Sequence, residues 1–182
     1  FYQSVSYPTY WQDVASLEMN RIEGILNGEL PQGIPTGFNN LNQLLHVYSP
    51  GELIVLAGAE GMGKTTMLLT KIRNLLKMGK RVLFFTLEMS KAEIVRILAA
   101  MESGIPKDVL KVGSLNQIEW GRYVKAMGDI SQWPLFIVDE YPTLTPLQLQ
   151  RRLRKLETVE GAKFDLVVSD GLWLMEANEP SQ

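Results

Sequence analysis

Apolar residues recur along most of the chain in two alternating patterns, continuous runs and stripes at helical spacing. The continuous runs have the length and composition of buried strands, and they lie at residues 53–57, 81–87, 135–138 and 164–168. Between them, apolar residues three or four positions apart predict amphipathic helices over residues 64–78, 91–102 and 116–130, and a further helix from residue 145. Such alternation is typical of an α/β fold, a mostly parallel sheet flanked by helices.

The first thirty residues follow a different pattern. Residues 1–10 have no clear period and predict an extended lead. A helix is expected over residues 11–27 and an end at Gly28, because one helical stripe contains Val14, Leu17, Ile22 and Ile25.

A shaped loop follows this helix, because residues 30–37 include two prolines and two glycines. A short helix is expected over residues 38–45. We therefore divide the chain into a lead and helix at 1–30 and an α/β domain at 31–182.

Amino-acid composition excludes several kinds of chemical site but does not by itself indicate a function. The chain has 182 residues, 46% of them hydrophobic and 21% charged, as in a soluble globular domain. It has no cysteine and one histidine, which excludes disulfides, thiolate zinc sites and a histidine metal cluster. The net charge of −2 gives no general attraction to nucleic acid, so contact with DNA would need a local patch or a channel between subunits.

No apolar run is long enough to cross a bilayer, and the amino terminus has no signal-peptide pattern. We therefore expect a cytoplasmic protein without a membrane partner.

Residues 58–65, with the sequence G-A-E-G-M-G-K-T, match the Walker A pattern of P-loop NTPases. Glycines allow backbone N–H groups to turn toward the phosphates, and the following helix directs the positive end of its dipole at the same anion. The motif predicts a site for ATP and Mg²⁺ in which Lys64 binds the phosphates and the Thr65 hydroxyl is a metal ligand. The nucleotide-binding residues are predicted to be Gly58, Ala59, Glu60, Gly61, Met62, Gly63, Lys64, Thr65 and Thr66.

A P-loop enzyme also needs an acid that holds the hydrated metal and a group that orients the attacking water. One scheme assigns the metal to Asp170 and the water to Glu88, which follow two different predicted strands. The rival scheme uses the adjacent pair Asp139 and Glu140 at the end of a third strand. The strand pattern favours the first scheme and leaves the second open.

Several segments beyond the Walker motif resemble the DnaB-type replicative DNA helicases. The two most particular are F-F-T-L-E-M-S at residues 84–90 and G-I-P-T-G-F-N-N-L-N at residues 33–42. Weaker matches continue in the same order to about residue 175. The resemblance implies a RecA-like motor fold in which Glu88 is the catalytic glutamate and Asp170 the Walker B aspartate, with Lys64 as a further catalytic residue.

The same resemblance implies the partners. It predicts ATP-driven translocation on single-stranded DNA by a homo-oligomer, a ring hexamer, with primase and a helicase loader as further partners. The helix over residues 11–27 would be the linker helix that docks on a neighbouring subunit. The family's later motor strands would lie beyond residue 182, so we expect the ATPase domain to be C-terminally incomplete in this chain.

Two departures from the family pattern leave other functions open. Residues 59 and 60 are alanine and glutamate where arginine and proline are common, and Trp173 replaces a glutamine. The alternatives are a RecA/RadA-like recombination-type ATPase and a nucleotide-binding interaction module that joins a helicase ring without hydrolysing ATP.

Overall fold

The computed structural model describes residues 10–30, 32–139, 144–161 and 163–176. Over these ranges the elements are α1 (Trp11–Leu26), β1 (Ile34–Pro35), α2 (Asn39–Leu45), β2 (Val47–Tyr48), α3 (Lys64–Lys77), β3 (Val82–Thr86), α4 (Lys91–Ser103), α5 (Lys107–Val112), α6 (Gln117–Ser131), β4 (Leu135–Val138), α7 (Pro146–Glu160) and β5 (Leu166–Asp170), followed by a 3-10 turn at Leu172–Leu174. The chain divides into two compact units, residues 1–56 and 57–182. The predicted boundary after residue 30 stays a prediction.

The first unit consists of two helices and a two-stranded antiparallel ladder. β1 pairs with β2 through Ile34 opposite Tyr48. The loop between β1 and α2 is fixed by Thr36, which is fully buried and whose backbone N–H donates to Asn42 Oδ1 at 2.7 Å. The Thr36 hydroxyl also donates to Asn42 Oδ1 at 2.5 Å, which gives a physical reason for a threonine and an asparagine at these two positions.

The second unit is built on a three-stranded parallel sheet in the order β4-β3-β5. β3 is the central strand: Val82 pairs with Leu135 on one side and with Leu166 on the other. All five residues of β3 are buried, as expected for a strand covered on both faces.

Helices cover both faces of this sheet. Val82 and Phe84 point to one face and pack in a cluster with Leu69 and Ile72 of α3 and Leu98 of α4. Leu83 and Phe85 alternate to the other face and pack with Leu153 of α7. The predicted α/β fold with a parallel sheet flanked by helices is confirmed.

Side-chain caps begin α6 and α7. The Asn116 side chain accepts a hydrogen bond from the Glu119 backbone N–H at the start of α6. At the start of α7 the Thr145 side chain accepts one from the Gln148 backbone N–H, and a proline occupies the first helical position. None of the described helices has the length and apolarity that a membrane crossing requires.

One predicted strand is wrong. Residues 53–57 form no strand, and the side chains of Leu53 and Val55 are 89% and 69% exposed. An apolar run indicates a tendency to be buried, but a strand also needs a backbone partner, and residues 53–57 pair with none of the described strands. The patterns also missed α5, which is six residues long, and the two-residue strands β1 and β2.

The carboxylate of Glu102 joins α4 to α3, because it accepts hydrogen bonds from Arg73 Nε and forms an ion pair with Lys77 Nζ at 2.9 Å. Its burial raises its pKa, but hydrogen bonds from Lys77 and Arg73 outweigh that effect and hold the pKa below its ordinary value. The lowered pKa means that folding favours the ionised form.

We expect Glu102→Gln to lower the free energy of unfolding by about 1–2 kcal/mol at neutral pH, because two cations lose their partner. A carboxyl whose pKa is lower in the folded state stabilises the fold above its unfolded pKa, about 4.3, and loses that effect as the pH falls through the folded value. The difference between the two proteins in urea unfolding should therefore shrink below about pH 4. Glu18→Gln, in the exposed pair with Arg21, is the control and should change little.

Candidate functional site

The phosphate loop makes two turns that require glycine. Gly61 and Gly63 have φ values of +75° and +83°, in the left-handed region that side-chain-bearing residues rarely adopt. Gly63 immediately precedes α3, so the loop leads into the positive end of that helix. Residues 58–63 form the exposed loop, while Lys64, Thr65 and Thr66 occupy the first turn of α3.

Lys64 folds back over the loop. Its Nζ donates a hydrogen bond to the Ala59 carbonyl oxygen at 2.9 Å. The ammonium is thereby held beside the loop whose glycine turns define the predicted phosphate position. An ammonium group at this place can bind a phosphate oxygen directly.

Thr65 and Asp170 meet although they lie far apart in the sequence. The Thr65 hydroxyl donates to Asp170 Oδ2 at 3.0 Å. Asp170 is the last residue of β5, so the carboxyl end of the sheet delivers this acid to the first turn of α3. The contact brings together the two residues that the sequence predicts as metal ligands.

Glu88 lies beside this pair, at the end of the neighbouring strand. Thr86, the last residue of β3, is paired with Asp170, and the Leu87 backbone N–H donates to the Asp170 carbonyl oxygen at 3.1 Å. Although Glu88 is exposed, loss of hydration and then the charge of Asp170 raise the pKa of its carboxyl, which Glu60 raises further and Lys64 lowers. The raised pKa makes this carboxylate a stronger base.

Two residues that the sequence reasoning did not assign hold Glu88 in place. The buried Thr86 hydroxyl donates to the Met89 carbonyl oxygen at 2.9 Å and accepts from the Met89 N–H at 3.1 Å, which closes a tight turn around Glu88. Gly171, at φ +88°, lets the chain after Asp170 approach Glu88, since a Cβ there would lie 3.1 Å from Glu88 Cγ. In the sequence, Thr86 could have been noticed as a hydroxyl within an apolar strand, and Gly171 as a glycine directly after the aspartate that ends a strand.

The rival acid Asp139 is engaged elsewhere. Its Oδ1 is 2.8 Å from Lys91 Nζ, and its Oδ2 accepts from the Lys91 backbone N–H at 3.1 Å. These hydrogen bonds from Lys91 hold the pKa of Asp139 below its ordinary value. Asp139 thus helps to cap α4, and its predicted partner Glu140 lies outside the described residues.

The oxygen ligands that the described residues offer fit a magnesium ion. The hydroxyl of Thr65 and the carboxylate of Asp170 are hard oxygen ligands. Within the ranges that the structure describes, three or more acidic or histidine side chains do not converge on one metal position. Two protein oxygens are nevertheless enough, since Mg²⁺ ordinarily completes its shell with water and substrate phosphates.

Comparison with known families gives a match over residues 33–182 to the DnaB-like helicase C-terminal domain. The chain belongs to this family. The match covers most of the chain and includes the phosphate loop, Glu88 and Asp170.

Curated relatives agree with this family assignment. The replicative DNA helicase DnaB of Nostoc sp. is 37% identical over 145 residues, which is 79% of this chain and 16% of that protein. The DnaB of Leifsonia xyli is 31% identical over 81% of this chain and 32% of its own length. The DnaB of Geobacillus stearothermophilus is 29% identical over 94% of this chain and 37% of its own length. The chain therefore spans between a sixth and two fifths of these relatives.

Two solved structures share the fold. One is described as a DnaB-like replicative helicase and its interactions with primase; it is 22% identical and has a TM-score of 0.78 over 97% of this chain and 42% of its own. The other is described as an ATPase domain, 23% identical, with a TM-score of 0.80 over 93% of this chain and 61% of its own. The expected RecA-like fold of the DnaB family is confirmed by these likenesses, which at this identity concern the fold alone.

The close approach of Gly171 to Glu88 can be tested with Gly171→Ala. We expect a loss of about 1–3 kcal/mol in the free energy of unfolding from the positive φ, together with displacement of Glu88. Gly161→Ala is the matched control, because Gly161 has φ +62° with open space around its Cβ position. Both variants should be less stable in urea unfolding, but only Gly171→Ala should slow nucleotide hydrolysis at a temperature where both are folded. Equal hydrolysis rates for the two would contradict the positioning role of Gly171.

Proposed function

We propose that the chain is the ATP-binding and hydrolysing part of a replicative-type DNA helicase motor, in which hydrolysis drives translocation on single-stranded DNA. The observation that carries the proposal is the hydrogen bond between Thr65 and Asp170, with Glu88 on the adjacent strand end. Membership of the DnaB-like family supports a helicase motor over a recombination-type ATPase.

Each residue has a role that follows from its position. The N–H groups of residues 58–65 and the Lys64 ammonium bind the phosphates of ATP. Thr65 and Asp170 hold Mg²⁺, which, when bound, neutralises charge on the phosphates. Glu88 accepts a hydrogen bond from the attacking water and directs its oxygen at the γ-phosphate, a task favoured by its raised pKa.

The proposed assembly is a homo-oligomer, a ring hexamer, that encloses single-stranded DNA. Its support in this chain is α1, whose apolar stripe is exposed: Val14 is 52%, Leu17 66% and Ile22 44% exposed. A stripe of this kind on a helix is suited to packing on a second copy of the chain. The proposal extends to primase, as in the structurally similar helicase, to a helicase loader, and to a cytoplasmic location.

The helicase proposal is tested directly by measuring ATP hydrolysis with and without single-stranded DNA, and strand separation, with the complete protein. Hydrolysis that DNA stimulates, together with ATP-dependent strand separation, is expected. A protein that binds ATP and never hydrolyses it would instead be an interaction module.

The assignment of the acids predicts different results for two isosteric variants. Glu88→Gln should reduce ATP hydrolysis by roughly 10²–10⁴-fold, the usual contribution of a general base, and leave ATP binding nearly unchanged. Asp139→Asn should keep hydrolysis within a few-fold, because Asp139 bonds to Lys91 and not to Thr65. If steady-state assays instead show that Asp139→Asn abolishes ATP hydrolysis and Glu88→Gln does not, the metal-binding and water-orienting roles belong to Asp139 and Glu140.

The role of α1 predicts that Leu17→Glu weakens self-association. A carboxylate in the middle of the apolar stripe would have to be buried against the second copy, which is unfavourable. Asn20→Glu adds the same charge outside the stripe and is the control. Sedimentation velocity should show smaller species for Leu17→Glu alone; assemblies of equal size for both variants would contradict an interface on this stripe.

A further inference from the structure

Residue 60 of the phosphate loop is a glutamate, an unexpected side chain beside a polyanion. The residue before it, Ala59, accepts the hydrogen bond from Lys64 Nζ at 2.9 Å. Standard peptide geometry places Glu60 Cα within about 3 Å of that carbonyl oxygen, and hence roughly 6 Å or less from the ammonium. The exposed Glu60 side chain therefore starts beside the group that is proposed to bind phosphate.

The charges around the loop do not balance. Lys64 supplies one positive charge, whereas Glu60, Glu88 and Asp170 supply three negative charges, which leaves a formal excess of two negative charges. The Glu60 carboxylate is close enough to act on Glu88, whose pKa it helps to raise. Since Glu60 also adjoins the Lys64 ammonium, its negative charge lies beside the proposed position of the phosphates.

We propose that Glu60 makes this loop selective for nucleotide that is already complexed with a divalent cation, by repelling metal-free nucleotide. This inference rests on the proposed nucleotide site. A divalent cation cancels two negative charges of the triphosphate, so the same carboxylate repels the complex much less than the free nucleotide. The backbone of residues 58–65 still binds phosphate, while the side chain of Glu60 discriminates between the two forms.

The size of the effect follows from Coulomb's law. The two forms of the nucleotide differ by two charges, and at about 8 Å in a water-like dielectric the repulsion by one carboxylate then differs by roughly fivefold in affinity. Salt at physiological concentration screens much of this difference, because the Debye length is about 8 Å. The selectivity should therefore be largest at low ionic strength.

The experiment is an equilibrium titration of the complete protein with ATP, once with excess Mg²⁺ and once with excess EDTA, at low salt. For Glu60→Gln we expect metal-free ATP to gain roughly fivefold more affinity than Mg²⁺-ATP, and high salt to diminish that gain. Glu60→Asp should keep the selectivity of the unsubstituted protein. Asp129→Asn, which removes an exposed charge at the end of α6 near the amino ends of the strands, should leave it unchanged.

Two outcomes count against the inference in distinguishable ways. If the unsubstituted protein binds ATP and Glu60→Gln changes both affinities equally or not at all, Glu60 has no selective role and the nucleotide site stands. If the unsubstituted protein binds ATP in neither condition, the proposed nucleotide site is wrong, and the role of Glu60 is wrong with it.

Discussion

The parallel pairing of β3 with β5 is the constraint on which the candidate site depends. It places Thr86 opposite Asp170 and thereby sets Glu88 next to the aspartate that contacts Thr65. A shift of one residue in this register would turn the side chains of the shifted strand to the opposite face of the sheet and displace Asp170 relative to Glu88. The complete burial of β3 fixes the register, since each of its faces has its own hydrophobic cluster.

Much of this arrangement could be predicted from the residues, because the responsible signals are local. The apolar runs around Phe84 and Val167 identify two strands of the sheet, and the glycines and Lys64 identify the phosphate loop. The capping residues Asn116 and Thr145 identify helix starts with similar reliability, since a cap is a bond to backbone only three residues away. Signals of this kind need no knowledge of the rest of the fold.

The features that could not be predicted depend on partners that are distant in the sequence. Residues 53–57 have the composition of a strand but no paired neighbour among the described strands. The contact of Asp139 with Lys91, which bears on whether Asp170 or Asp139 is the metal-binding acid, likewise cannot be read from a strand-end pattern. Both cases show that local sequence indicates which structures and contacts a residue can have, whereas residues distant in the sequence determine which of them it adopts.

The two parts of the site differ in how they are supported. Glu88 and Asp170 are anchored to the sheet, and the hydroxyl of Thr86 locks the turn that carries Glu88. The glycine loop of residues 58–63, in contrast, is exposed. We therefore expect that, when the proposed site binds a nucleotide, the acids on the sheet keep their spacing to each other and the exposed loop adjusts its shape around the phosphates.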